Sequence, residues 1–231
     1  MTPGPLCGPP GDAVESPGEA GILSAQTVLG TLPVSELGVI QPHEHVFSDT
    51  TGPAVPRGTG PLWRHYDQPI RLDNYYDVRR DHLNAEDQRL VSVSDAIIEV
   101  EQFRLAGGET MVDLTPWGLG RNPSGLQAVA EAVGVHLIMG CGYYVAAFHP
   151  APVAYRDEHE ITQEILDECR SGAADTGIRP GVIGEIGMSW PPTAEENKVL
   201  RAAARAGGFW PRAVHPSREA SGGAVRAPPG G

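Results

Sequence analysis

From residue 92 onward the chain alternates short apolar runs with amphipathic stretches, and this alternation limits its possible folds more than any other feature. Ser94-Asp95 can cap a helix that carries Ala96, Val100 and Phe103 and stops at Gly107-Gly108. Residues 110–115 then read as a strand. Ser124 can cap a second helix with Leu126, Val129, Ala130 and Val133 inward and Gly134 at its end. Residues 135–139 form the next strand, leading into Gly140-Cys141-Gly142-Tyr143-Tyr144. A third helix places Ile161, Ile165, Leu166 and Cys169 on one side, and residues 181–187 make another strand. Thr193-Ala194-Glu195-Glu196 is a capping box ahead of Val199, Leu200 and Ala203. Repeated strand–helix units predict a parallel α/β sheet or a (β/α) barrel, and both gather ligands at the C-terminal ends of their strands.

One more strand precedes this series. Leu37-Gly38-Val39-Ile40-Gln41-Pro42 reads as the start of a buried strand, and it ends in His43-Glu44-His45. Alternate residues of a strand share a face, so the two histidines project together. Neutral imidazoles so placed suit a divalent ion such as zinc, although two surface histidines around a loop carboxylate would read the same way. Glu185 stands near the end of the 181–187 strand, where a carboxylate among apolar neighbours is costly unless paired or bound to metal. His43, His45 and Glu185 therefore all fall at the strand ends where ligands collect. Asp113 and Thr115 end their strand as either supports for a metal ligand or buried groups bonded to backbone. One of Tyr143 and Tyr144 could face a substrate; the other is expected in the packing. His136 reads as structural, and His149 and His159 show no partner.

Between these parts, residues 48–91 have no clear period but carry Trp63, Tyr66, Tyr75 and Tyr76, expected either as a wall over a site or as a self-packed loop. Residues 1–24, rich in Pro and Gly and lacking Lys and Arg, predict a disordered leader, neither a signal peptide nor a presequence. Cytoplasm is the expected address. The charge sum, 17 minus 29 or −12, disfavours nucleic acid and anionic membrane as partners, and no run suits a membrane span. Cys7, Cys141 and Cys169 are too few and too scattered for a disulfide framework, so reduced thiols are expected.

Several of these strings together resemble the phosphotriesterase family of the amidohydrolase superfamily. They are Val28-Leu29-Gly30 through His43-Glu44-His45, Gly107-Gly108 to Asp113-Leu114-Thr115, and Gly118-Leu119-Gly120-Arg121. The run from Gly181 through Glu185 to Trp190-Pro191 is similar to the phosphotriesterase-related branch. The likeness covers roughly residues 25–206. It implies an eight-stranded (β/α) TIM barrel holding two divalent metals, usually zinc. It further implies hydrolysis of a small carboxylic ester, lactone, amide or phosphotriester through a metal-bridging hydroxide. By resemblance His43 and His45 match ligands of the more buried metal, Glu185 matches the carboxylate bridging both, and His215 matches a fifth-strand ligand. A solvated tail histidine is the alternative for His215.

Only four clear strand–helix units and a candidate fifth strand can be counted, so the expected fold is the N-terminal part of that barrel, left incomplete. No His follows His215 and no Asp follows Asp175, although later strands of the family supply both. Residues 207–231 read as a divergent, irregular Gly/Pro/Arg-rich tail. The expectation is thus a metal-dependent hydrolase, or alternatively a truncated, catalytically inactive metal-binding relative. A homodimer would cover the open strand edges. A doubly wound nucleotide-binding domain fits less well, because no phosphate loop is present.

Overall fold

The structure, a computed structural model, describes residues 23–52, 60–80, 83–209 and 214–218. The expected leader, apart from its last two residues, and the tail beyond residue 218 lie outside the described residues.

Five parallel strands form the main sheet: β1 (Ile40–Glu44), β2 (Thr110–Asp113), β3 (His136–Cys141), β4 (Val182–Met188) and β5 (Val214–Arg218). They lie side by side in chain order. Sequential order without a reversal is the pattern of a (β/α) barrel, since a doubly wound sheet turns back at a switch point. The helices between them are α1 (Val93–Leu105), α2 (Pro123–Val133), α3 (Glu158–Ser171) and α4 (Ala194–Phe209). The architecture is therefore α/β, a portion of a TIM barrel, as the alternation predicts.

Two-residue periodicity sorts the strand side chains. Leu137 and Met139 of β3 join Val100 and Met111 with Leu126 and Val129 of α2 in one buried cluster. Cys141, Ile183 and Ile186 join Ile161 and Ile165 of α3 and Val199 and Ala203 of α4 in a second. Ile138 lies instead with Leu37, Leu114 and Val182 in a third, against which Ala25 and Leu32 of an antiparallel hairpin pack. That hairpin pairs Ser24–Thr27 with Gly30–Pro33. Full burial of residues such as Leu126 and Val129 contributes roughly 1.5–3 kcal/mol each.

Local details differ from the sequence expectation by a few residues. Ser92, not Ser94, caps α1, accepting from the Asp95 amide at 3.3 Å. Asn122, not Ser124, caps α2, accepting from the Gly125 amide at 2.9 Å. Helix α3 begins with an unforeseen capping box between Asp157 and Glu160. Helix α4 extends through Gly207 and Gly208 to Phe209, and β5 follows, so the stretch read as irregular from residue 207 contains regular elements. β1 begins only at Ile40, and Val39 and Ile40 are exposed, although Leu37 is buried as expected.

The described residues between 48 and 91 include several that face α1 across a cleft. Ser48–Asp49 pairs antiparallel with Arg89–Leu90, closing the segment at its base. Inside it, His65 is buried between Gln68 and Asp77, at 2.9 and 3.1 Å, and Asn84 donates to the His65 and Gln68 carbonyls. Trp63 packs on Tyr66, whereas Tyr75 and Tyr76 are exposed. A cleft of about 780 Å³ opens between this segment and α1, with Tyr66, Leu90 and Met111 among its walls and His45 on its lining. Among the described residues no helix is long and apolar enough to cross a membrane.

Candidate metal centre

The end of β1 and the middle of β4, rather than its end as the sequence suggested, bring three predicted residues together. His43 Nε2 lies 3.4 Å from Glu185 Oε2, and His45 Nε2 lies 3.4 Å from Glu185 Oε1. The two imidazoles meet edge to face with centroids 5.3 Å apart. Glu185 is almost wholly enclosed, while the side chains of His43 and His45 remain 39% and 32% exposed. The centre is thus open on the histidine side and closed behind the carboxylate.

Local sequence accounts for this convergence. The β1–β2 ladder is irregular between Gln41 and Glu44, where Pro42 has no amide proton to give. Gly140 allows β3 to approach β4, because a Cβ there would stand 2.1 Å from the Gly184 carbonyl oxygen. The Glu185 amide donates to the Leu114 carbonyl at 3.1 Å, tying β4 to the end of β2.

Behind His45, residues 44–47 are sewn to residues 113–115. Leu114 N donates to the Glu44 carbonyl at 2.9 Å and Val46 N to Asp113 Oδ2 at 2.8 Å. Thr115 N donates to Asp113 Oδ1 at 3.0 Å, and the Thr115 hydroxyl donates to the Phe47 carbonyl at 2.8 Å. His45 Nδ1 lies 3.0 Å from that same hydroxyl oxygen. Burial pushes the Asp113 carboxyl above its ordinary value, with the Thr115 and Val46 amides pulling it back.

Among the described residues, His43, His45 and Glu185 form a group whose donor atoms all lie within 4.8 Å of one another. Neighbouring ligands of a tetrahedral ion with bonds of about 2.0–2.2 Å sit about 3.3–3.6 Å apart. The two 3.4 Å separations match that spacing. Two imidazoles and a carboxylate are also a donor set for zinc and similar divalent ions, so these residues fit such a cation. His215 is placed by its backbone on β5, paired with Gly184, one residue from Glu185 along the neighbouring strand.

Other expectations resolve differently. Tyr143 is buried and donates to Glu164 Oε2 at 2.5 Å, so it serves the helix layer. Tyr144 packs on Phe148. His149, expected without a partner, lies 2.7 Å from the Tyr144 carbonyl and 3.3 Å from Glu195. Cys141 and Cys169 are buried and not disulfide-bonded, and the neighbouring Cys169 thiol together with burial pushes the Cys141 thiol well up. His159 is exposed and His136 half-buried at the start of β3.

One cluster was not foreseen. Arg121 donates to both oxygens of Glu168, at 2.9 and 2.6 Å, and to the Gly140 carbonyl at 3.1 Å. Trp117 Nε1 donates to Glu168 Oε1 at 2.6 Å. The available signal was Glu168 itself, an acid set between Leu166 and Cys169 on the apolar side of its helix.

The family model of the "Phosphotriesterase family" matches residues 23–224, a longer stretch than the 25–206 over which the motifs resemble it. An "N-acetyltaurine hydrolase" of Danio rerio is 35% identical over 198 residues, covering 84% of this chain and 56% of its own length. A "Phosphotriesterase-related protein" of Nematostella vectensis is 35% identical over 206 residues, with 85% and 58% covered. In three dimensions, a "Resiniferatoxin-binding protein from Rhodobacter sphaeroides" superposes with a TM-score of 0.70 at 36% identity, covering 80% of this chain and 52% of that one. The chain thus spans little more than half the length of these relatives.

Proposed function

The chain belongs to the phosphotriesterase family, and from that premise we propose that it is a metal-dependent hydrolase of a small molecule. The observation that carries this reading is the convergence of the donor atoms of His43, His45 and Glu185 to within 4.8 Å of one another. Among ester-type bonds we assign an amide, that of a small N-acylated amine, because relatives named N-acetyltaurine hydrolases match at 35% identity. Carboxylic esters, lactones and phosphotriesters are the comparison substrates.

His43 and His45 would hold the cation through Nε2, and Glu185 would offer one oxygen towards each imidazole. A bound divalent cation, most simply zinc, supplies Lewis acidity and a water acidic enough to yield hydroxide near neutral pH. We infer two cations, with Glu185 as their shared ligand and His215 as a ligand of the second. Glu185 is the catalytic residue of this scheme, since its enclosed carboxylate offsets the positive charge beside the reacting bond. The exposed faces of the imidazoles leave the centre open to substrate from the strand ends. A homodimer would form along the outer edge of β1, where Val39 and Ile40 are exposed.

Metal analysis with turnover tests the proposal. Protein purified without chelators should retain near-stoichiometric zinc, and His43→Ala should lose it. N-Acetyltaurine should be cleaved, and Glu185→Gln should stop the reaction. Protein that neither retains nor takes up zinc removes the basis of the reading. Bound zinc without turnover on any of the four bond types would favour an inactive metal-binding relative.

A further inference from the structure

Resting on the metal site inferred above, we propose that Thr115 is a positioning residue that fixes the proton of His45 on Nδ1 and leaves Nε2 bare for a cation. Thr115 is fully buried, and its hydroxyl carries a single proton. Three groups face that proton: the Phe47 carbonyl at 2.8 Å, the Asp113 carboxylate, and His45 Nδ1 at 3.0 Å; given to either of the first two, it leaves the hydroxyl oxygen free to accept from the ring. A carbonyl cannot donate, so the Phe47 contact is a hydrogen bond only when Thr115 gives its proton there. The hydroxyl oxygen is then an acceptor, and the ring nitrogen facing it must carry a hydrogen. The neutral imidazole has one ring proton, so Nε2 is left with its lone pair directed at the Glu185 side.

The opposite arrangement costs the Phe47 carbonyl its partner and gains little in return. Were Thr115 to donate to Nδ1, the Phe47 carbonyl would lose this donor in a buried setting, which costs free energy. The pull that could hold the ring proton on Nε2 instead is weak, because Glu185 Oε1 stands 3.4 Å away, beyond the ordinary range of a hydrogen bond. Placement of the hydroxyl is itself fixed: the Thr115 amide is held by Asp113 Oδ1, and Asp113 Oδ2 holds the Val46 amide on the far side of His45. Of the bonds that join residues 44–47 to residues 113–115, the one from Thr115 Oγ1 is the one that reaches the imidazole ring. Backbone pairing therefore sets where His45 lies, and the hydroxyl sets which nitrogen it presents.

Two measurements on the full 231-residue chain test this. In the chelator-treated wild-type protein, a long-range proton–nitrogen spectrum of labelled histidines at about pH 8 should show His45 protonated on Nδ1. In zinc titrations against a chromophoric chelator, Thr115→Val should weaken binding about 10–100-fold, while Thr115→Ser should stay within about threefold of wild type. A proton on Nε2 of His45 overturns the proposal, and that spectrum requires no variant to fold. Thr115→Val binding zinc as tightly as wild type, beside a weakened His45→Ala, overturns the positioning role alone. Unweakened binding in His45→Ala and His43→Ala would instead overturn the metal site, and the role of Thr115 would fall with it.

Discussion

Glu168 and Glu185 are both buried carboxylates, yet their surroundings are built in opposite ways. Glu168 is closed. The Arg121 guanidinium grips both of its oxygens and the Trp117 indole adds a third hydrogen bond. Arg121 in turn is anchored on the Gly140 carbonyl and lies against the Trp117 ring. Glu185 is open. It faces two partly exposed imidazoles at 3.4 Å, longer than an ordinary hydrogen bond. A fixed cation and pinned donors neutralise a buried charge for good, so such a cluster serves the fold. An imidazole can be neutral or charged and can present either nitrogen, so a carboxylate faced by imidazoles is suited to a ligand that comes and goes. Burial alone does not distinguish the two acids; what stands opposite them does.

The largest expected effect breaks or upholds that contrast at Glu185. Glu185→Gln should lower turnover on the order of a thousandfold or more and remove zinc retention. Its denaturation midpoint, measured without metal, should hold or rise, because a buried charge has been taken away. A midpoint that falls sharply would mean that Glu185 serves the fold as Glu168 does.

Glu168→Gln should show the reverse. Removing one partner of a buried ion pair leaves Arg121 uncompensated, at a cost of about 3–5 kcal/mol in urea denaturation. Zinc affinity should remain within about threefold of wild type, since Glu168 sits among the helices and not with the imidazoles. Lost zinc binding with intact stability would erase the distinction between the two acids.

Sequence alone revealed one of these regions and not the other. The strand–helix alternation was legible because each unit shows its buried side through periodicity, and Leu126, Val129 and Ile165 do lie in the core. His43 and His45 were legible because two residues of one strand share a face, and Glu185 because an acid interrupts an apolar strand. Cap positions slipped by two residues, since Ser92 and Ser94 are equally good acceptors and only backbone geometry chooses between them. The partnership of Arg121 with Glu168 joins residues 47 apart, and that of Thr115 with Phe47 joins residues 68 apart. Such pairings depend on which strands become neighbours, which no local pattern records.

Glu196 shows a third handling of a buried acid and a smaller effect. It accepts from the amides of Ala146 and Thr193 and from the Ser189 hydroxyl, at 2.9, 2.8 and 2.8 Å, locking α4 to the loops after β3 and β4. Burial raises its carboxyl, but these donors outweigh burial and hold it below its ordinary value of 4.5. A carboxyl depressed in the folded state contributes stability above its unfolded value, and this is lost as pH falls through the folded one. Glu196→Gln should therefore cost about 2 kcal/mol at neutral pH, and its deficit should shrink between about pH 5 and pH 3. A deficit independent of pH would mean that packing, not charge, gives Glu196 its role.

The smallest effect is expected at Tyr143, which stands where a substrate residue was anticipated. Its hydroxyl donates to Glu164, whose carboxylate also pairs with Arg156. Burial, followed by the Glu164 contact, pushes the phenol above its ordinary value, so it stays un-ionised at neutral pH. Tyr143→Phe leaves Glu164 with its arginine and removes one hydrogen bond, for a cost of about 1 kcal/mol. Zinc affinity and turnover should not change, because the ring faces the helix layer and not the imidazoles. A tenfold fall in turnover at unchanged stability would move Tyr143 to the open region, and the boundary between the two regions would then have to pass through the end of β3.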